Sequence, residues 1–522
     1  MNVIRKHATV WIVLASGFLA GCGALNTEPH KLNLDEKLSR EYQRYEKAQQ
    51  LVLARYKDAE LPLEKQKISR SEWEGILSPQ PEEVFTAADL NELKERQKRQ
   101  TEAARDAAIK ASVIDFSQWR ALPAKESQKH IRQFCETTPK GGMLHIHPWG
   151  SLSSKTFNKL LTRSNPVIPA QTLYRNLSNP QGLAYVYPAE AAWLKTLPDN
   201  AHFLALPDAD RERLVQMSVL PPGTHPFERF EAVFNFVALV MGGDWDNIMT
   251  AYEDFADRAT RSGVQYVEFT EAVSPEDLPR YEQMADRIAK KYGLIVRFNV
   301  AYFRTRSVES QNEAVKAMLK KMNSPLITGI DLLASERNAP ALETGQGVYG
   351  PVMAANVNNG NRWHRTMHAG EHGDFRNTRD ALLLGAERLG HGVRLIEDPI
   401  VMQYAAHRKI PVEINLTSNL KLRAVSDIRT HPYLTYLRLG MPVSLSTDDE
   451  GIFEIDINDD CVLAVAQTDL TYYEFKEMAF NSIKTSFAPE DLKLQMLQEL
   501  RNRFKRLEIV QDPKRLARQA VQ

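Results

Sequence analysis

Cysteine is scarce: the 522 residues hold three, Cys22, Cys135 and Cys461, and no C-x-x-C pair occurs. That excludes a disulfide framework and a four-thiolate zinc site, so any metal must rest on histidines and carboxylates; Cys135 and Cys461 are expected as free thiols. An excess of one charge is also lacking. With 66 Lys+Arg against 66 Asp+Glu, no basic footprint exists for tracking phosphates, which argues against nucleic acid as the main partner. The uncharged run Ala8 to Ala20 is too short to span a bilayer. What remains is ordinary globular composition, 43% hydrophobic and 25% charged, in a chain long enough for two to four domains, or for a barrel of about 250 residues with additions.

The start of the chain reads as an address. Arg5 and Lys6 precede the uncharged run, which ends in Leu19-Ala20-Gly21-Cys22; charge followed by a short apolar core is the pattern of a signal peptide. The tetrapeptide resembles the bacterial lipobox, which implies cleavage before Cys22, lipidation of its thiol, and an exported, membrane-anchored protein on the periplasmic or cell-surface side.

The organisation that follows has three parts: a signal segment over 1–21, a helical region over 22–130 and a barrel over 131–522 with an insertion at about 165–225. Residues 31–111 are rich in Glu, Lys, Arg, Gln, Ala and Leu at helical spacing. From Gly141 onward short apolar runs alternate with amphipathic stretches, the sign of a parallel α/β architecture. Eight candidate strands, 143–147, 264–270, 294–303, 327–333, 366–369, 388–393, 411–416 and 442–447, suggest a closed (β/α)8 TIM-type barrel. The stretch 165–225 holds eight prolines and reads as a loop-rich insertion; 337–362 is read as similarly loop-like. Its Gly345, Gly347 and Gly350 have G-x-G-x-x-G spacing, but prolines on both sides remove the strand-turn-helix context that a dinucleotide site needs.

The chemistry lies at strand ends. His145 and His147, two apart in an apolar run, point both imidazoles to one face of a strand, the interior of a barrel. His368 ends the fifth candidate strand with Glu371 just above it, His391 ends the sixth, and Asp448-Asp449 end the eighth. Three histidines and one aspartate form a nitrogen and oxygen set suited to zinc with a position left for water. A metal there lowers the pKa of bound water toward about 7. Asp448 would ligate and orient that water, His391 would take its proton or stabilise its charge, and Glu371 would carry a proton to the substrate. The reaction class is hydrolytic attack on an electrophilic carbon.

These segments resemble the adenosine deaminase family of the metallo-dependent amidohydrolases, most of all its extracellular, growth-factor-type branch. Pro139 to His147, Phe230 to Phe234, Gly329 to Leu332, His368 to Glu371, Gly390 to Gly392, Thr417 to Asn419, Val425 to Pro432 and Ser446 to Asp449 carry the resemblance, in family order. It implies one zinc held by His145, His147, His368 and Asp448; Glu371 as proton donor to purine N1; His391 beside the attacking water; Asp449 accepting a hydrogen bond from N7; and loss of ammonia from C6, adenosine going to inosine. It also implies a homodimer through residues 31–111.

Departures fall in substrate recognition. Where the family has a ribose-binding Asp after the histidine pair, this chain has Pro148-Trp149-Gly150, and Trp149 would stack on a base instead. Ala334 replaces a glycine whose N–H approaches ring N3, Glu336 follows two residues on, and Asn415 stands where cysteine is usual. His364, His372 and His431 lie off the matched positions and are expected in surface or capping roles. The competing readings are a metal-dependent hydrolase of another amide or amidine, and a non-catalytic purine-binding or assembly lipoprotein.

Overall fold

The computed structural model describes residues 32–58, 61–178, 188–241, 243–337, 340–360 and 362–511. The predicted signal segment and Cys22 lie outside the described residues. Eight parallel strands form one sheet: β1 (Gly141–Ile146), β2 (Val264–Glu271), β3 (Ile295–Phe303), β4 (Ile327–Leu333), β5 (His364–Ala369), β6 (Arg388–His391), β7 (Val412–Ile414) and β8 (Val443–Leu445). Each pairs with its neighbour in chain order, and a bridge from Ile146 to Asp448 closes the barrel. At this seam the His147 amide donates to the Asp448 carbonyl at 3.2 Å, and the Asp448 amide donates to the His145 carbonyl at 3.3 Å. Nearly every strand residue is buried, as expected where helices cover one face and side chains fill the other.

Six helices matter for the site and its support: α1 (Leu34–Lys57), α2 (Ala87–Ala111), α3 (Ala124–Thr137), α4 (Phe227–Met241), α5 (Ala341–Asn359) and α6 (Ile457–Gln467). Asn33 with Glu36 and Thr86 with Asp89 form capping boxes that start α1 and α2. Lys37 of α1 then reaches Asp89 at 2.6 Å. The apolar face of α1, including Tyr45, Ala48, Val52 and Tyr56, joins the main core of the barrel. Gln49 and Gln97 donate to the carbonyls of Leu382 and Pro399. At about 1.5–3 kcal/mol per large buried side chain, before entropy, that face is committed within the chain. What the helices leave outward is largely charged.

Three expectations are corrected. The 337–362 stretch is mostly helix, because its glycines serve packing: a Cβ at Gly350 would lie 2.3 Å from the Tyr56 ring of α1, and one at Gly347 2.5 Å from Val308. Pro351 sits inside α5 without ending it. The 165–225 insertion carries short helices whose Leu173, Leu194, Phe203 and Leu214 share a core with Phe157 and Leu160 of the preceding helix Ser154–Ser164; among its prolines Pro207 occupies the N-cap of the helix Asp208–Gln216. Cys135 on α3 and Cys461 on α6 are not free thiols. They form a disulfide, their Cα atoms 5.8 Å apart, because the two helices flanking the barrel seam pack side by side.

Candidate active site

The barrel brings the predicted metal-ligating residues together at the C-terminal ends of its strands. Asp448 Oδ1 lies 3.4 Å from His145 Nε2 and 3.3 Å from His147 Nε2, while His368 Nε2 is 3.3 Å from His147 Nε2. Each outer partner aims a ring. His145 Nδ1 faces Glu413 on β7 at 2.8 Å, and Glu413 is held in turn by Arg388 at 2.6 Å. His368 Nδ1 faces Asp331 on β4 at 3.1 Å, and Ser418 Oγ donates to the other oxygen of Asp448 at 2.7 Å. With Nδ1 engaged, His145 and His368 offer Nε2 lone pairs inward. His145 Nε2 is buried with no hydrogen-bond partner, an arrangement that costs about 1–3 kcal/mol unless something takes up the lone pair. Three imidazole nitrogens and a carboxylate oxygen linked at 3.3–3.4 Å in this way fit a metal ion; His391 stands close by, its ligand atom within 4.8 Å of those of His145, His368 and Asp448, while His147 groups with Asp448 and Asp449.

A second chain of hydrogen bonds sets the proton on His391. The Tyr433 amide donates to His431 Nδ1, so His431 donates from Nε2 to Asn419 Oδ1 at 3.0 Å. Asn419 Nδ2 then donates to His391 Nδ1 at 3.0 Å, with Asn415 Nδ2 a second donor at 3.4 Å. His391 therefore carries its proton on Nε2, which is buried, without a partner, and 3.9 Å from Glu371 and 4.0 Å from Asp448. It is an N–H donor rather than a base. Burial, opposed by the Glu371 charge and reinforced by His145, lowers its pKa to about 4. Asn415 thus gains a role, and His431 proves to be a buried relay as well as a cap.

Carboxyl states divide along the same lines. Burial alone would raise Glu371, but His391 and a hydrogen bond from His372 hold it down at about 2. Burial would likewise raise Asp448, yet the approach of His145 and His147 to its carboxylate at 3.4 and 3.3 Å, with His391 nearby, keeps it well below the usual range. Asp449 goes the other way: burial and the adjacent Asp448 charge push its carboxyl well up, which favours its protonated form. Both its oxygens are buried without partners. A Cβ at residue 150 would fall 1.5 Å from Asp449 Oδ1, which explains Gly150.

A cavity of about 400 Å³ opens onto this cluster, walled by Trp149, Phe230, Phe234, Leu333 and Ala334 and floored by His147, His368, Glu371, His391 and Asp448. Glu231, Asn235 and Glu271 add polar groups, and among the described residues no Lys or Arg lines it. Ala334 (φ 79), His391 (φ 61) and Asp448 (φ 65) all hold left-handed backbone, strain of about 1–2 kcal/mol per non-glycine residue, gathered at one site. Glu336 does not reach the cavity. It accepts from the amides of Gly370 and Glu371 at 2.9 and 2.8 Å and from Asn377 at 2.9 Å, so it shapes the turn that carries Glu371. His372, expected at the surface, touches Glu371, whereas His364 pairs half-buried with Glu387 at 2.6 Å. Sequence reasoning also passed over Glu413, Asp331, Ser418 and Asn419. Their signal lay in Asp331, Ser418 and Asn419 sitting inside quoted motifs; Glu413 had none beyond a carboxylate in an apolar run.

The family model for adenosine deaminase matches residues 192–503. The chain belongs to the adenosine deaminase family. An adenosine deaminase of Klebsiella pneumoniae is 29% identical over 269 residues, covering 48% of this chain and 75% of the relative. In fold the chain is similar to an adenine deaminase of Arthrobacter aurescens (TM-score 0.55, 21% identity, 70% of this chain and all of that one). It is also similar to a zinc-bound amidohydrolase of Burkholderia ambifaria (TM-score 0.54, 17% identity, 74% and 95%). As a member of the adenosine deaminase family the chain is a hydrolytic deaminase acting on a C–N bond. The family match begins after β1, so His145 and His147 enter the site through the barrel's geometry.

Proposed function

We propose that the chain is a zinc-dependent deaminase of an unphosphorylated aminopurine, with adenosine to inosine and ammonia as the best-fitting reaction. The observation that carries this is the convergence of His145, His147, His368 and Asp448, linked at 3.3–3.4 Å, where a cavity presents His147, His368 and Asp448 together with Glu371 and His391. Those four residues would hold the zinc, whose contribution when bound is to bring the pKa of water toward about 7. Glu371, ionised in the free site, takes a proton from the attacking water and passes it to ring N1, which draws electrons from C6. His391 Nε2–H donates to the oxygen adding at C6. Asp449 keeps its proton and donates a hydrogen bond through it to N7, an acceptor in a neutral purine; the proton of the C6 hydroxyl then passes to the amino nitrogen, the C–N bond breaks, the carbonyl forms and ammonia leaves.

A wall without Lys or Arg favours a nucleoside or base over a nucleotide. Pro148 in place of a ribose-binding carboxylate and the Ala334 methyl favour, as a second reading, adenine or a deoxynucleoside over adenosine. Ammonia release by the zinc-loaded chain over adenosine, deoxyadenosine, adenine, AMP and cytidine decides. Release from an unphosphorylated aminopurine, lost in Glu371→Ala, supports the proposal; silence from folded, zinc-bearing protein overturns it.

We also propose export with a lipid anchor at Cys22, supported by the charged start, short apolar run and lipobox-like tetrapeptide, and by the Cys135–Cys461 bond, which suits an oxidising compartment. No helix of the described residues is long and apolar enough to cross a membrane. Labelled palmitate incorporated by the wild type and not by Cys22→Ala supports the anchor; equal labelling of both refutes it. A homodimer through residues 31–111 would have to use the outer, charged faces of α1 and α2, because the apolar face of α1 is spent on the barrel and Leu93 of α2 is buried with Leu34 and Leu38 of α1.

A further inference from the structure

We propose that His372 is a positioning residue that holds the Glu371 carboxyl in its proton-transfer geometry, itself clamped between the Glu336 backbone and the Phe227 ring. This rests on the reading of Glu371 as the group that serves ring N1. The imidazole follows Glu371 directly and makes four contacts, each with a distinct consequence. Its Nε2 accepts from the Glu336 amide at 3.2 Å and from Ser335 Oγ at 3.3 Å. A backbone N–H has no other state than donor, so it fixes the lone pair on Nε2 and leaves the ring proton on Nδ1. Nδ1–H then points to Glu371 Oε2 at 3.3 Å. The ring face lies on Phe227, with centroids 3.8 Å apart and planes 17° from parallel, so the imidazole cannot rotate out of this pose without losing a stack on α4.

The arrangement addresses a mechanical need. Glu371 sits on a turn between β5 and the helix Arg376–Leu383, and Glu336 holds only the backbone of that turn, through the Gly370 and Glu371 amides. Among the described residues the carboxyl end has one close hydrogen-bond donor, His372; His391 stands at 3.9 Å. Without His372 the carboxyl keeps its place in sequence and loses its aim. Since Phe227 opens α4, the helix that also brings Phe230, Glu231 and Phe234 to the cavity, the same ring ties the substrate-facing wall to the proton-carrying group. The carboxylates of Glu371 and Glu336 favour a charged imidazole, but the amide at Nε2 opposes a second proton, and the Nδ1–H bond persists in either state.

The test is steady-state ammonia release by the full, zinc-loaded chain carrying His372→Ala, His372→Asn, His372→Gln or Phe227→Leu, with Glu371→Gln alongside. Asparagine sets an amide N–H where Nδ1–H was; glutamine sets it too far out. Losing a hydrogen bond to a catalytic carboxylate should lower kcat about tenfold or more, with KM within about twofold in the His372 variants, because His372 is not among the residues lining the cavity, whereas Phe227 is. Expected are a large kcat loss in H372A and H372Q, substantial rescue in H372N, and a smaller loss in F227L. Equal kcat in H372A and wild type, or H372N no better than H372Q, overturns the inference. Should H372A not fold, the H372N and H372Q comparison decides. If E371Q keeps full activity, the reading of Glu371 itself falls; if E371Q is dead while every His372 variant is normal, only the inference about His372 falls.

Discussion

Gly150→Ala is the substitution whose effect follows most directly from the geometry. The new Cβ would lie 1.5 Å from Asp449 Oδ1 and 2.4 Å from its Cγ, where ordinary contact begins at 3.4 Å. About 2 Å must therefore open between two segments that are both fastened. The Gly150 carbonyl accepts from the Ile452 amide at 2.9 Å, and the Asp449 carbonyl accepts from Phe453 at 3.1 Å. Overpacking of this kind costs about 1–3 kcal/mol of stability. Activity should suffer more, because Asp448 precedes Asp449 and a 1 Å misplacement in a catalytic site costs about a hundredfold. Urea denaturation gives the first quantity, kcat with zinc saturating gives the second, and Gly75→Ala is the control. Nothing lies within 4 Å of a Cβ at Gly75, in the exposed middle of a helix, so that change should stabilise by up to about 1 kcal/mol. Wild-type stability and kcat in G150A would refute the account of the seam.

Glu413→Gln should weaken zinc binding about 10- to 100-fold, since it breaks the link from Arg388 to His145; chelator competition reads it, and an unchanged affinity contradicts the assignment. The Glu271 carboxyl is pushed up by burial from 4.5 to about 7. The folded chain thus keeps a proton that the unfolded chain releases: this contribution is full below pH 4.5 and is lost as pH rises through about 7, costing about 3 kcal/mol. Glu271→Gln should flatten that slope in urea midpoints taken at pH 5 and pH 8; parallel slopes would contradict it. Replacing Cys135 and Cys461 together by serine opens a link across 326 residues and should cost about 2–5 kcal/mol, read as a lower Tm that reductant no longer changes. An unaltered Tm would show that the link carries no stability.

The barrel was legible because a parallel strand buried on both faces leaves a continuous apolar run, and Ile327–Leu333 coincides with its predicted limits. The ligands were legible because their positions at strand ends follow from those runs. What the sequence hid was tertiary. Gly345, Gly347 and Gly350 looked like loop residues until Leu384, Val308 and Tyr56, distant in sequence, were seen to occupy the space above them in turn. His372 and His431 looked peripheral because nothing local reveals that one faces Glu371 and the other reaches His391 through Asn419. Cys135 and Cys461 could not be paired before α3 and α6 were set side by side. Glu336 was assigned to substrate by its place after β4, whereas its three donors show that it supports the Glu371 turn.

The central claim is that one metal ion at His145, His147, His368 and Asp448 serves an aminopurine deaminase. Titrating zinc into the chelated, folded chain while following bound metal and ammonia release from adenosine or adenine tests it most directly. The account predicts that activity rises in proportion to bound zinc and levels off at one per chain, with His368→Ala removing both binding and activity. Deamination that persists without bound metal, or a folded chain that takes up no zinc, would contradict it.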